Sequence, residues 1–109
     1  NRDIKKAQLL AECVGGTGLG LDATQRCYEE GYDFLINATP VEMPIDPSFI
    51  LPGSKVMDIK TRPMETELLQ KAKEKQCTII YGYQMFIEQA IGQWHLWFKD
   101  NFEIELFHL

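Results

Sequence analysis

Paired cysteines are missing from this chain. Cys13, Cys27 and Cys77 are odd in number, widely spaced and include no C-x-x-C, which argues against both a zinc site and a disulfide framework. Free thiols suit a reducing compartment, and we expect the cytoplasm. Long apolar runs are also missing. None approaches the roughly 18 residues that a membrane helix needs, and we expect no signal peptide. Positive charge is scarce: 11 Lys and Arg stand against 16 Asp and Glu, for a net charge of −5. A polyanion is repelled overall, so nucleic acid is not an expected partner. The one basic cluster, Arg2, Lys5 and Lys6 in "NRDIKK", is enough for a single phosphate. His95 and His108 are too far apart in sequence to share metal-ligand spacing, and His95 reads as a packed or rim residue. No Ser-His-Asp or Cys-His order is visible either. From chemistry alone, these residues supply no catalytic group.

What is present is an ordinary globular composition, 45% hydrophobic and 25% charged over 109 residues, which allows one domain at most. Ile4, Ala7, Leu10, Ala11 and Val14 recur at helical spacing, with Asp3 placed to cap and Gly15 to stop the helix. A short strand is expected near 19–21, then a helix capped by Asp22 and running to Glu30. The compact apolar run "YDFLINA" suits a buried strand. "TPVEMPIDPSFILPG" holds four prolines in fifteen residues, so it reads as loop with one helical turn near 47–51. "KVMDI" and "CTIIYG" read as strands, "METELLQKAKEKQ" as an amphipathic helix, and 83–99 as a long helix. The tail "DNFEIELFHL" alternates apolar and polar residues like a short strand or extended arm. Strands alternating with helices predict a parallel α/β sheet.

The stretch "GGTGLG" at 15–20 invites a nucleotide-loop reading. A phosphate-gripping glycine loop follows a strand and opens a helix, so that N–H groups at the helix start face the anion. These glycines follow a helix instead, and the spacing fails at Leu21. They predict a helix stop. Better candidates for binding lie at strand ends. In open parallel sheets the carboxyl edge lines the ligand crevice, and "NATP" (37–40), residues 58–61 and Gly82 all fall there.

Taken together, these segments resemble the cofactor domain of the shikimate dehydrogenase family. "NRDIKKAQLLAE" is similar to the family's Asn-Arg-Thr segment after the second strand, and "NATPVEM" to its Asn-Ala-Thr-Pro-Val-Gly-Met loop. "KVMDIKTRP" and "GYQMFIEQA" are similar to its Val-x-Asp-x-x-Tyr-x-Pro strand end and its Gly-x-x-Met-x-x-x-Gln-Ala helix. The resemblance covers residues 1–98; 99–109 form a tail of unassigned role. It implies NADP-dependent reversible reduction of 3-dehydroshikimate to shikimate. It implies that Asn1, Arg2 and the residues to Lys6 cradle the adenosine 2′-phosphate and ribose. Ala38 and Thr39 would line the cofactor cleft, Ile59, Gly82 and Met85 would meet the nicotinamide half, and Gln89 would hydrogen-bond shikimate.

Three positions depart from the family pattern. Thr61 stands in place of a substrate-binding tyrosine, keeping a hydroxyl with shorter reach. Glu42 replaces a glycine. Asp3 replaces a threonine; it either caps the helix or repels a 2′-phosphate and shifts preference towards NAD. The family's catalytic lysine and aspartate belong to an N-terminal substrate domain, and its glycine-rich loop to a first strand, neither of which these residues contain. The expected fold is thus an incomplete Rossmann-like doubly wound sheet, strands three to six of the order 3-2-1-4-5-6, inactive alone and belonging to a longer chain. A fused upstream 3-dehydroquinate dehydratase, an NAD-using quinate/shikimate dehydrogenase and a non-catalytic nucleotide-binding module are the readings left open.

Overall fold

The computed structural model describes residues 1–98; the expected strand or arm at 100–109, and His108 with it, lie outside the described residues. Helix α1 spans Ile4–Val14 and α2 spans Thr24–Glu30. Strand β1 (Phe34–Asn37), strand β2 (Lys55–Asp58), helix α3 (Glu67–Glu74), strand β3 (Thr78–Ile80) and helix α4 (Gly82–Phe98) follow. The three strands form one parallel sheet in the order β1-β2-β3. Phe34 stands opposite Lys55 and Asn37 opposite Asp58, while Lys55 also faces Thr78.

Local sequence explains most element ends. The Asp3 carboxylate accepts the Lys6 N–H at 3.1 Å and caps α1. Gly15, in the left-handed conformation, closes that helix. Gly18 then passes so close to α1 that a Cβ on it would lie 2.5 Å from the Gln8 nitrogen. The glycine stretch is therefore a helix stop followed by a close backbone crossing. In α3 the Thr66 hydroxyl accepts the Leu69 N–H, with Glu67 in the first turn and Lys71 and Lys73 in the last. Those charges lie along the helix dipole as expected. Lys73 also pairs with Glu65, and that carboxylate raises the pKa of the lysine.

Two expectations need correction. No strand forms at 19–21; one turn of 3-10 helix covers Leu21–Ala23 instead. A strand is stable only when a neighbour takes up its backbone groups, and none lies alongside among the described residues. The sheet thus holds three strands among the described residues, not four. Nor does Asp22 cap α2. It lies within the 3-10 turn, and α2 starts after Ala23 without a side-chain cap.

The core is small and sits on one face of the sheet. Ile50, Val56, Leu68, Leu69 and Ala72 are fully buried, with Leu35, Met43, Ile45 and Ile79 packed around them. The proline-rich loop closes over this core through Lys75, whose ammonium donates to the Pro47 carbonyl at 2.6 Å and the Ile50 carbonyl at 3.3 Å. Tyr32 ties the same loop: its hydroxyl donates to the Phe49 carbonyl and accepts the Leu51 N–H, both at 2.7 Å. Burial, the largest influence, raises the Tyr32 pKa above the usual 10.0. The neutral phenol is then favoured in the folded state, and stability falls as pH climbs from the unfolded value towards the raised one. Tyr32→Phe should cost about 1 kcal/mol near neutrality and should flatten the loss of stability in alkali. Urea titrations at neutral and alkaline pH read both effects.

Among the described residues, no strand pairs with the opposite side of β1. The carbonyls of Asp33 and Asn37 accept from Lys55 and Ile59 of the β2 segment. In a parallel ladder alternate residues face opposite neighbours, so Phe34 and Ile36 turn their backbone groups to the free edge. Their side chains are more than half exposed. Helix α1 buries none of its residues, and Leu9, Leu10 and Val14 lie open. A cavity of about 610 Å³ separates α1 from β1, walled by Leu10, Val14, Phe34 and Phe49 among others.

Candidate functional site

The carboxyl ends of β1 and β2 carry two buried polar side chains. Asn37 ends β1 and is 2% exposed; Asp58 ends β2 and is fully buried. The Asn37 amide nitrogen donates to the Val41 carbonyl at 2.7 Å and to the Asp58 carboxylate at 3.1 Å. Its amide oxygen accepts from the Thr39 N–H at 3.0 Å and the Thr39 hydroxyl at 2.6 Å. Asp58 also accepts the Lys60 N–H at 3.0 Å on one oxygen and the Thr66 hydroxyl at 2.9 Å on the other. Every partner of this carboxylate is a neutral donor. Burying a carboxylate is costly unless it is hydrogen-bonded, and here three donors satisfy it.

This knot fixes three segments relative to one another. Asn37 folds 38–41 back on β1, Asp58 holds the turn at 59–60, and Thr66 anchors the start of α3. The Leu68 N–H also donates to the Glu42 carbonyl at 3.3 Å, so the loop that carries Glu42 rests on the same helix end. Ala38, Thr39 and Thr61 are exposed on this frame, and Ile59 is half-buried. Asn37 itself has no bonding capacity left, which makes it framework and not a contact for a ligand.

Gly82 completes the edge. A Cβ there would lie 2.6 Å from the Ile59 carbonyl oxygen and 2.7 Å from that of Asp58. Only a residue without a side chain lets α4 start directly against the end of β2. Met85 and Gln89 follow Gly82 at spacings of three and seven, along one stripe of the helix. Met85 is half-buried and Gln89 is exposed. The structure thus gathers Ala38, Thr39, Ile59, Thr61 and Gly82 on one sheet edge, with Met85 and Gln89 on the helix that rises from it.

Asn1, Arg2 and Lys6 stand apart, exposed at the start of α1, across the open cavity. No carboxylate lies within ion-pair distance of Arg2, Lys5 or Lys6 among the described residues. The Asp3 carboxylate is turned to its capping role. The sequence reading missed Thr66 and the bridging role of Asp58. The available signal was a threonine directly before a helical pattern, which predicts a cap but not a bond to a strand end. Among the described residues, no three Cys, His, Asp or Glu side chains gather as a metal site, and no helix is long and apolar enough to cross a membrane.

No family model matches the chain. Relatives do. The NADP(+) shikimate dehydrogenase of Pyrococcus furiosus is 40% identical over 111 residues, covering 97% of this chain and 40% of that enzyme. The shikimate biosynthesis protein AroDE of Chlamydia pneumoniae is 37% identical over 100 residues, covering 92% of this chain and 20% of its own length. Among solved structures, shikimate dehydrogenase from Aquifex aeolicus superposes with a TM-score of 0.84 at 25% identity, covering 99% of this chain and 41% of that one. The chain therefore spans two-fifths or less of the length of these curated relatives. Its parallel sheet and flanking helices are those of a Rossmann-like α/β fold. In sequence and in fold, the chain is similar to the shikimate dehydrogenases over that part of their length.

Proposed function

We propose that these residues form the C-terminal part of the NADP-binding domain of a cytoplasmic shikimate dehydrogenase, which reduces 3-dehydroshikimate reversibly to shikimate. The observation that carries this reading is the convergence of 37–39, 58–61 and Gly82 on one carboxyl edge of a parallel sheet, in a chain 40% identical to an NADP(+)-named relative. Ala38 and Thr39 line the cofactor cleft; Ile59, Gly82 and Met85 meet the nicotinamide half. Thr61 and Gln89 hydrogen-bond the polyhydroxylated substrate, an amide being both donor and acceptor. Asn1, Arg2 and Lys6 hold the adenosine ribose and its 2′-phosphate.

The donor set fits that phosphate. Among the described residues, three cations without a carboxylate partner sit at one helix start; the neighbouring Asp3 caps that helix through the Lys6 N–H, and its single carboxylate is outnumbered three to one by these cations. When bound, the cofactor supplies the hydride. This chain orients and encloses it, and proton delivery falls to a substrate domain outside these residues. The open edge of β1, with the cavity beside it, is where the remaining strands of the cofactor domain join.

NADPH and dehydroshikimate, supplied to the complete enzyme, test the reading: saturable turnover is expected, and binding without turnover would favour a non-catalytic module. Arg2→Ala should raise the KM for NADP at least tenfold, as expected for loss of a charge-assisted hydrogen bond worth about 1.5–3 kcal/mol, and leave that for NAD nearly unchanged. An equal rise for both cofactors would remove Arg2 from the 2′-phosphate.

A further inference from the structure

We propose that Asp58 is a positioning residue that sets the 59–61 turn, and with it the reach of Thr61 towards substrate, separately from the adenosine end of the site. The proposal rests on the functional reading above and extends it to a residue that touches neither cofactor nor substrate. The two oxygens of the Asp58 carboxylate do different work. One takes the Asn37 amide at 3.1 Å and the Thr66 hydroxyl at 2.9 Å, binding β1 and α3 to β2. The other takes only the Lys60 N–H, at 3.0 Å, and so defines the turn that follows. The Asp58 carbonyl, at the same point, packs against Gly82. The turn is therefore clamped between a fully buried carboxylate and the start of α4.

Thr61 occupies the position where the resemblance implies a longer hydroxyl-bearing side chain. A short side chain has little freedom to search for its ligand, so the backbone beneath it decides whether the hydroxyl arrives. That makes the Lys60 N–H bond to Asp58 the point of control. Asp58→Asn is nearly isosteric and separates the two functions. An amide has one acceptor and one donor end. Turned to keep Asn37 and Thr66 satisfied, it sets its NH₂ against the Lys60 N–H and releases the turn. Turned the other way, it meets the Asn37 amide with a second donor. The first orientation opposes one donor and the Thr66 hydroxyl is kept, so the turn gives way while the three-element knot holds.

In the complete enzyme, Asp58→Asn should raise the KM for shikimate at least tenfold. Affinity for adenosine 2′,5′-bisphosphate, a probe of the Arg2 end, should stay within twofold. Thr66→Val, which removes the anchor of α3 but not the turn contact, should lower the urea midpoint and leave the shikimate KM within twofold. A parallel loss in both probes for Asp58→Asn, the same shikimate effect from Thr66→Val, or no change in KM would each overturn the assignment. Hydrogen exchange in the unsubstituted protein supplies a test that needs no variant to fold. The Lys60 amide should be protected to the level of the β2 amides although it lies past the strand, and fast exchange there sinks the proposal. Absence of any shikimate turnover in the unsubstituted enzyme would count against the functional reading instead, and the exchange result would still stand or fall by itself.

Discussion

Gly82→Ala should lower stability by about 1–3 kcal/mol or more, because the added methyl overpacks a site with no slack. Its Cβ would sit 2.6 Å from the Ile59 carbonyl oxygen and 2.7 Å from that of Asp58, with the Lys60 oxygen also in the way. All three obstacles are main-chain atoms, so no side-chain tip can rotate aside. Relief requires α4 to back away from the strand ends. Trp94 and Trp97 lie on α4, and their fluorescence reports the displacement while urea unfolding reports the energy. Both should change together, and cofactor affinity should fall with them. An unaltered midpoint would mean that α4 does not start against the end of β2.

Leu69→Ala is the second large effect, about 2–5 kcal/mol for a buried leucine that leaves a cavity. Domains of this kind are stable by about 5–15 kcal/mol in total, and the fully buried apolar set here is Ile50, Val56, Leu68, Leu69 and Ala72. Such a core has little reserve. Leu10→Ala provides the contrast, since Leu10 is 68% exposed and lies beside the cavity. In these residues alone it should change stability by less than about 0.5 kcal/mol. In the complete enzyme, where further strands would cover it, the same substitution should cost several times more. Comparing the two urea midpoints distinguishes a covered from an uncovered α1. Equal costs at Leu10 and Leu69 in the isolated residues would contradict the described core.

Elements governed by short-range chemistry were legible from residue order. Asp3 and Gly15 bound α1 because a carboxylate cap and a left-handed glycine act within a few residues of the helix that they close. Helix α3 was legible from its stripe of Leu68, Leu69 and Ala72 and from its graded charges. The strand expected at 19–21 failed for the opposite reason: a strand depends on a partner that periodicity does not reveal. The Asp22 cap failed because a 3-10 turn took its place. At the site, the strand ends were legible as an edge, but the knot was not. Asn37 and Asp58 are 21 residues apart and Asp58 and Thr66 eight, so their bonds exist only after β1, β2 and α3 have assembled. Residue order placed Asn37 at a strand end; that it also splints two strands came only with the fold.

The bare edge of β1 has a consequence for handling this polypeptide. Among the described residues the outer backbone groups of Phe34 and Ile36 pair with no strand, and such an edge is a template on which another chain can add as a cross-strand aggregate. The ammonium of Lys55, 5.0 Å above the Phe34 ring, gives modest protection by placing charge beside that template. Concentration-dependent turbidity, seeded at this margin, would therefore be the ordinary fate of these residues when nothing is docked there.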